Sequence, residues 1–252
     1  MNAADCIAAL DLPSGALVDQ RIPKKTLAEY GATSAATRRN IQEGIESLRW
    51  VAALKPSTSG IPAHTDDVRE YLEVAVLHLH LRPTAKTSQL VPFIHHTIPY
   101  PILLVSSDEE HFGLSLAHKR WSQAASGDVV VDGDIVTFRI DEKVPSEALA
   151  EFLAALSLAK QPRNTLYELY QGWLDTVLAL QTACVLGDFT LPRSSEHAAA
   201  RSKALLECAR LESEMSSLRA AAIREKQLPR QVELNLQLKR LAEAHAAARA
   251  QM

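Results

Sequence analysis

Residues 94–120, IHHTIPYPILLVSSDEEHFGLSLAHKR, contain the pattern that decides the fold. Pro99 and Pro101 favour an extended backbone, because the residue before a proline is disfavoured in the helical region. An apolar run follows them, then an acidic polar turn, then a second apolar run that ends in cationic side chains. Two apolar runs joined by a short polar turn predict an antiparallel pair of strands, at residues 102–105 and 112–118.

The segments around this pair predict a sheet with helices packed against it. Residues 71–81, YLEVAVLHLHL, are apolar on both alternating faces, which is typical of a central strand covered on both sides. Hydrophobic residues at helical spacing predict helices at 33–48 and 84–97. Residues 129–140 carry Asp-Gly-Asp between two β-branched runs, which predicts a second hairpin. Further helices are predicted at residues 145–160 and 165–186.

The C-terminal part of the chain has a different pattern. Apolar residues recur there at alternating steps of four and three, the period of a coiled coil. They are Ala204, Cys208, Leu211, Met215, Leu218 and Ala222, and then, after an interruption at Pro229, Leu234, Leu238 and Leu241. The sequence therefore predicts an α+β domain over residues 1–192, with a mixed sheet flanked by helices. An antiparallel coiled-coil helical hairpin over residues 193–252 follows it.

Composition excludes several classes of protein. A formal net charge of −3 over 252 residues is not that of a globally basic nucleic-acid coat. Cys6, Cys184 and Cys208 are far apart and show no metal-ligand spacing, which fits a reducing compartment. The N-terminus lacks the basic start of a signal peptide, and no apolar run approaches the length of a membrane span. We therefore expect a cytoplasmic protein without a membrane partner.

Histidines raise the question of a metal site. His78 and His80 share one face of the predicted central strand, and His95 falls on the next predicted helix. Zinc sites need three or four converging ligands, and the chain contains no compact motif such as HExxH. Half-buried, hydrogen-bonded histidines are the plainer interpretation. The sequence therefore predicts no metal and no other cofactor, with these three residues as the candidates if a metal were bound.

An alternative hypothesis is a divalent-metal nuclease. The predicted order of elements, with Glu43 on the first helix, loosely resembles restriction-type cores. Such sites combine an acid with an acid-x-Lys sequence on adjoining strands. Glu73 is followed by Val74 and Ala75, so the lysine is missing, and the remaining acids fall in predicted turns.

The end of the second predicted strand is the candidate binding site. His118, Lys119, Arg120 and Trp121 place two cations, an imidazole and an indole where the strand is expected to leave the core. This combination can bind phosphate and stack a base. The alternative is a strand with an ordinary polar ending. The sequence predicts no catalytic residues.

Three segments carry a family resemblance: IPYPILL at 98–104, AHKR at 117–120 and QVELNLQLKRL at 231–241. In these segments, and in their order along the chain, the protein resembles a bacterial family catalogued as domain of unknown function 4391. None of the three is a catalytic signature. The resemblance implies a setting, because such proteins are often encoded beside helicases and DNA methyltransferases in restriction-like or phage-defence gene clusters.

We therefore expect a non-enzymatic accessory or adaptor subunit of a DNA-targeting complex. The helical hairpin would bind a large protein partner such as a helicase or methyltransferase. Nucleic acid near residues 118–121 would be a further partner. A divalent-metal nuclease and a homodimeric scaffold, paired through the coiled coil, are the alternatives.

Overall fold

The computed structural model describes residues 2–31, 34–124, 127–140 and 144–252. The chain divides into two compact units, Met1–Val177 and Leu178–Met252. The helices are α1 (Ala3–Ala9), α2 (Lys24–Gly31), α3 (Ala35–Gly44), α4 (Pro56–Ser59), α5 (Thr87–Thr97), α6 (Ser146–Leu156), α7 (Leu166–Leu186), α8 (Ser195–Arg224) and α9 (Leu228–Arg249). The strands are β1 (Leu17–Arg21), β2 (Ile45–Leu54), β3 (His64–Thr65), β4 (Glu70–Tyr71), β5 (Val74–Leu81), β6 (Ile102–Ser107), β7 (Phe112–Trp121) and β8 (Val129–Ile140).

The first unit is built on a six-stranded sheet in the order β1-β2-β5-β6-β7-β8, and β3 pairs separately with β4. Strands β5 and β6 are parallel, and the other neighbours in the large sheet are antiparallel. Parallel neighbours need a crossover, which α5 supplies. The predicted α+β class with a mixed sheet is confirmed, as are the internal position of β5 and the β6–β7 hairpin.

One face of β5 forms the centre of a hydrophobic core. Leu77 and Leu79 belong to a fully buried cluster with Leu27 of α2, Ile41 of α3 and Ile94 of α5. The alternation of side chains along the strand puts His78 and His80 on the opposite face. The three helices therefore cover one face of the sheet, and the histidines lie outside this cluster.

The predicted helix at 33–48 is wrong over its last four residues, 45–48. Ser34 caps α3, whose last residue is Gly44, and β2 begins at Ile45; residue 33 lies outside the described residues. A β-bulge explains the misleading pattern. Ile45 pairs with Leu81 and Leu48 with Leu79, and the register shifts between them. The extra residue puts two side chains three positions apart on the same buried face, which imitates helical spacing.

The predicted second hairpin at 129–140 is also wrong, because this segment is the single strand β8. Leu116 of β7 pairs with Val136, and His118 pairs with Asp132, so residues 133–135 bulge out of the ladder. Gly133 has a φ of 75°, a conformation that glycine adopts without steric cost. A turn-like sequence thus serves as a bulge inside a continuous strand.

Gly113 allows β7 and β8 to lie close together. A Cβ atom added at Gly113 would lie 2.7 Å from the carbonyl oxygen of Phe138 and 3.3 Å from the Cα of Arg139. Both atoms belong to the backbone, which cannot move without disturbing the ladder.

We expect Gly113→Ala to lower the free energy of unfolding by roughly 2 kcal/mol, in the range of overpacked sites. Urea denaturation checks this, and Gly15→Ala is the control, because its Cβ would contact nothing within 4 Å. Equal stability of the two variants would contradict the expectation.

The second unit contains an antiparallel helical hairpin, as predicted. Contacts between α8 and the segment from α9 to the C-terminal residue join residues in reversed order: Ala222 with Gln231, Glu212 with His245, and His197 with Met252. The predicted seam residues of α8 are buried or half-buried, and those of α9 are half-buried. In the described part of the chain, no helix has the length and apolar character that crossing a bilayer requires.

Candidate functional site

The distinctive feature of the first unit is that β7 extends beyond its neighbour β6. The ladder between them runs from Ser107–Phe112 to Leu104–Ser115, whereas β7 continues to Trp121. Beyond Ser115, the edge of β7 that faces β6 therefore has no partner strand among the residues that the structure describes. Backbone N–H groups on a strand edge need hydrogen-bond acceptors when they are buried.

Side chains and a loop supply those acceptors at every second residue. The N–H of Ala117 donates to the Tyr170 hydroxyl at 2.8 Å, and the N–H of Lys119 donates to the Tyr71 hydroxyl at 3.2 Å. The N–H of Trp121 donates to the carbonyl of Val68 at 2.8 Å. This tyrosine-covered edge joins β4, β7, α7 and the loop before β4 within the first unit.

Tyr170 replaces a missing rung of the ladder. Its hydroxyl shares one proton between the carbonyl oxygens of Ile102 at 2.7 Å and Ala117 at 3.0 Å, and it accepts from the Ala117 N–H. Continuing the β6–β7 register would place Ile102 opposite Ala117. The hydroxyl thus lies between two strands that have separated too far to bond directly. Burial raises the pKa of Tyr170 well above its usual value, so the phenol stays protonated.

His118 is held by a chain of hydrogen bonds. Its Nδ1 lies 2.6 Å from the Tyr71 hydroxyl, and its Nε2 lies 2.9 Å from Oε1 of Gln171, whose amide donates to Asp175 at 2.9 Å. An amide oxygen only accepts, so Nε2 carries the proton and Nδ1 accepts from Tyr71. Burial lowers the pKa of His118, which favours the neutral ring. Both ring nitrogens are therefore engaged within the protein.

Lys119 lies in the core rather than at the surface. Its side chain is 1% exposed, and its ammonium donates to the carbonyl oxygens of His95 and Ile98. These carbonyls belong to the C-terminal end of α5, where the helix dipole favours a cation. Burial nevertheless lowers the pKa of Lys119 to about 8. A phosphate could reach this ammonium only after the side chain had left both carbonyls.

Arg120 and Trp121 are half-buried. Arg120 pairs with Asp132 at 3.3 Å, and Arg69 reaches the same carboxylate at 3.3 Å. The Arg69 guanidinium also lies over the Tyr167 ring, 4.9 Å from its centroid. The expectation that the strand leaves the core at His118 is wrong, because β7 continues to Trp121. A binding role for the four residues 118–121 stays a prediction.

The three candidate metal ligands are divided between two serine hydroxyls. His78 and His80 both contact the Ser107 hydroxyl, at 2.9 Å and 3.3 Å, whereas His95 contacts the Ser115 hydroxyl at 2.9 Å. The pKa of His95 is lowered to about 3, and burial is the largest cause. Within the described ranges, no three His, Cys, Asp or Glu side chains are grouped to hold a metal ion.

The acids of the nuclease hypothesis are also held apart. Glu43 forms an exposed ion pair with Arg39 on its own helix. Glu73 precedes β5 rather than lying on it, and it pairs with Lys55 at 2.9 Å. The acid-x-Lys arrangement that metal-dependent nucleases use is therefore not assembled from these two side chains.

Sequence reasoning missed the tyrosines at this edge. Tyr71, Tyr167 and Tyr170 surround His118, with ring centroids 6.0, 5.1 and 5.4 Å from the imidazole. Tyr71 comes from one end of a strand segment and the other two from α7, so no spacing in the sequence connects them. The one available signal was the pair Tyr167 and Tyr170, three residues apart at the start of a helix.

Comparison with known families confirms the resemblance to domain of unknown function 4391. A profile of the family described as domain of unknown function (DUF4391) matches residues 10–244. The chain belongs to the DUF4391 family. No curated protein and no solved structure gives a significant match. The description of the DUF4391 family names no activity.

Proposed function

We propose that this protein is a non-enzymatic adaptor whose helical hairpin binds a protein partner. One observation carries the proposal: α9 exposes a second apolar stripe besides the seam that packs against α8. Apolar side chains that recur along an exposed helix face are typical of protein-interaction sites.

The seam is already occupied within the chain. Met215 and Leu211 of α8 are buried, and Leu234, Leu238 and Leu241 of α9 are half-buried in the hairpin. These residues are therefore not available to a partner unless the hairpin opens. A homodimer through the coiled coil, which stays a prediction, would have to use other side chains.

The exposed stripe consists of Leu228, Val232 and Leu236 on α9, and Ile223 near the end of α8 is exposed as well. Leu228 is 73% exposed and Ile223 is 83% exposed. Steps of four residues place the three α9 side chains along one face of the helix. Exposure of each apolar side chain to water is unfavourable. A partner that buries these side chains would gain about 25 cal/mol of binding free energy per Å² of apolar area.

Charge around the stripe favours an acidic partner. Residues 219–240 contain six Lys and Arg side chains and two Glu, although the whole chain has a net charge of −3. The cations are Arg219, Arg224, Lys226, Arg230, Lys239 and Arg240. Complementary charge at the rim of an apolar patch sets orientation and partner choice. The partner surface that fits is an amphipathic helix with Asp and Glu beside its apolar face.

We also propose a cellular setting for the adaptor. Family resemblance supports an accessory subunit of a DNA-targeting, restriction-like or phage-defence complex in the cytoplasm. A helicase-type subunit or a DNA methyltransferase would then carry the acidic helix, with nucleic acid as a further partner. A divalent-metal nuclease remains the alternative proposal, although the acids named above are not brought together.

Co-purification of the full-length chain with its co-expressed neighbouring gene products tests the adaptor proposal. We expect the triple variant Leu228→Asp, Val232→Asp, Leu236→Asp to bind the recovered partner at least about 100-fold more weakly, because truncated hot spots cost about 2 kcal/mol each. Calorimetry with the purified partner measures this. The matched control is Leu206→Asp, which changes an exposed leucine elsewhere on α8.

Three results would count against the proposal. Unchanged partner binding by the triple variant would show that the stripe is not the docking site. Light scattering that shows a wild-type dimer and a monomeric triple variant would assign the stripe to a second copy. Binding to a DNA duplex that the Arg230→Ala, Lys239→Ala variant loses, with protein binding intact, would assign the basic rim to nucleic acid.

A further inference from the structure

A cleft of about 270 Å³ opens in the first unit between the start of β5, the segment before β6 and the end of β7. Its lining includes Glu70, Glu73, Tyr100, Trp121 and the two prolines Pro99 and Pro101. The volume is slightly below that of small-molecule pockets, which begin at roughly 300 Å³. It suits one long side chain rather than a nucleotide or a cofactor.

Glu73 gives the cleft an incompletely satisfied carboxylate. One oxygen, Oε2, pairs with the Lys55 ammonium at 2.9 Å. The other, Oε1, is buried and has no hydrogen-bond partner among the residues that the structure describes. A carboxylate with one oxygen lacking a donor is incompletely stabilised, so the Glu73 carboxylate favours a ligand that brings a positive charge.

Aromatic rings form the rest of the recognition surface. Tyr100 lines the cleft and stacks on Trp50, with ring centroids 5.8 Å apart. Trp121 lines the same cleft from the end of β7. A cation near the faces of tryptophan and tyrosine is attracted by their ring quadrupoles. Rings and prolines also suit the apolar stem of a lysine or arginine side chain.

We propose that this cleft binds the cationic end of a lysine or arginine side chain presented by a partner polypeptide. The ammonium or guanidinium pairs with the carboxylate of Glu73, whose side chain is 16% exposed, and the aliphatic stem packs between Tyr100 and Trp121. Glu70 adds a second negative charge to the lining. The inference is independent of the hairpin proposal, because its residues lie in the other compact unit.

This assignment reverses the expected role of Trp121. The sequence suggested that Trp121 stacks a base beside phosphate-binding cations. In the structure Trp121 shares its cleft with two carboxylates, and Lys119 is directed to the end of α5. Phosphate near Glu70 and Glu73 would meet like charge. The acidic and aromatic lining selects a cation.

Nuclear magnetic resonance titration of the ¹⁵N-labelled full chain tests the proposal with small probes. The probes are Nα-acetyl-lysine methylamide, Nα-acetyl-arginine methylamide and the neutral norleucine analogue, with free methylammonium as the probe without a backbone. We expect the lysine or arginine probe to shift the Trp121 indole resonance with a Kd of about 1 mM, equivalent to about −4 kcal/mol. The norleucine analogue should bind at least tenfold more weakly.

Glu73→Gln tests the carboxylate and Glu43→Gln is its control. Both substitutions remove one negative charge from a Glu that has an ion-pair partner. We expect Glu73→Gln to raise the Kd of the cationic probe at least tenfold and Glu43→Gln to leave this Kd unchanged. Unfolding curves of both variants show whether the fold is intact. The wild-type preference for lysine over norleucine needs no variant, so the proposal stays testable if Glu73→Gln is unstable.

Equal binding of the lysine and norleucine probes would overturn the proposal, because the cleft would then be merely apolar. Binding of inorganic phosphate at Trp121 in place of the cations would also overturn it. Methylammonium binding as tight as the lysine probe would show that a free amine is the ligand and would overturn the polypeptide assignment.

Discussion

Replacing Lys119 by alanine is expected to lower the free energy of unfolding by about 3 kcal/mol, within the range of large-to-small core substitutions. The side chain is 1% exposed and fills space between β7 and α5. Its loss leaves a cavity and removes the donor shared by the His95 and Ile98 carbonyls. Urea denaturation followed by circular dichroism measures the change.

Lys119→Met separates packing from charge, because methionine keeps most of the volume and lacks the ammonium. We expect a smaller loss, about 1–2 kcal/mol, from the two carbonyls left without a donor. If both variants were as stable as wild type, the buried ammonium would contribute nothing to the attachment of α5. A solvent-exposed position for Lys119 would then describe the protein better.

A pH series on the same pair tests the state of the ammonium. Lys119 has a pKa of about 8 in the folded chain, against a reference value of 10.5. Between these values the unfolded chain binds more protons, so the wild-type stability from this group rises with pH. The Lys119→Met variant has no titrating group at this position, so its stability lacks this pH dependence. The difference in free energy of unfolding between the two proteins should therefore widen from pH 8 upward, by up to about 1.4 kcal/mol per pH unit. A gap that narrows would contradict the lowered pKa.

Tyr170→Phe is expected to lower the free energy of unfolding by about 2 kcal/mol, the scale of a buried polar group left unsatisfied. The hydroxyl links the Ile102 carbonyl with the N–H of Ala117 where β6 and β7 separate. Phenylalanine fills the same space but leaves these backbone groups without a partner. Hydrogen exchange of the Ala117 amide should accelerate along with the global loss.

Tyr30→Phe is the control for Tyr170→Phe, because Tyr30 is 82% exposed and loses only a hydroxyl in water. It should leave the free energy of unfolding within about 0.5 kcal/mol of wild type. A Tyr170→Phe variant that matched this control would show that the separated strands are bridged in another way. Unchanged exchange at Ala117 would lead to the same conclusion.

The main helices and strands could be predicted from the sequence because each is specified by residues close together in the chain. The apolar faces of β5, the prolines before β6 and the heptads of α8 each carry their own signal. Two errors in the sheet came from bulges. At Ile45 and Leu48 a bulge imitated helical spacing, and around Gly133 a turn-like sequence lies within a strand. A bulge depends on the partner strand, which a local pattern does not contain.

The site was harder to predict for the same reason. Lys119 looked like a surface cation because charged residues usually end a strand outside the core. Its acceptors are main-chain carbonyls on α5, which have no side-chain signature. The hydroxyl of Tyr170 replaces a strand, and that role exists only once α7 has packed on the sheet. In the cleft, Glu73 and Trp121 become neighbours only through the strand order.

The tyrosine-covered edge has a consequence for synthesis of the chain. All strands of the large sheet lie within residues 1–140, whereas Tyr170 emerges later with α7. A nascent chain that has completed the sheet but not α7 therefore carries an open strand edge at Ala117. Open edges recruit strands from other molecules. Ribosomal stalling or truncation before residue 166 should produce aggregates, whereas the finished chain closes the edge with its own hydroxyl.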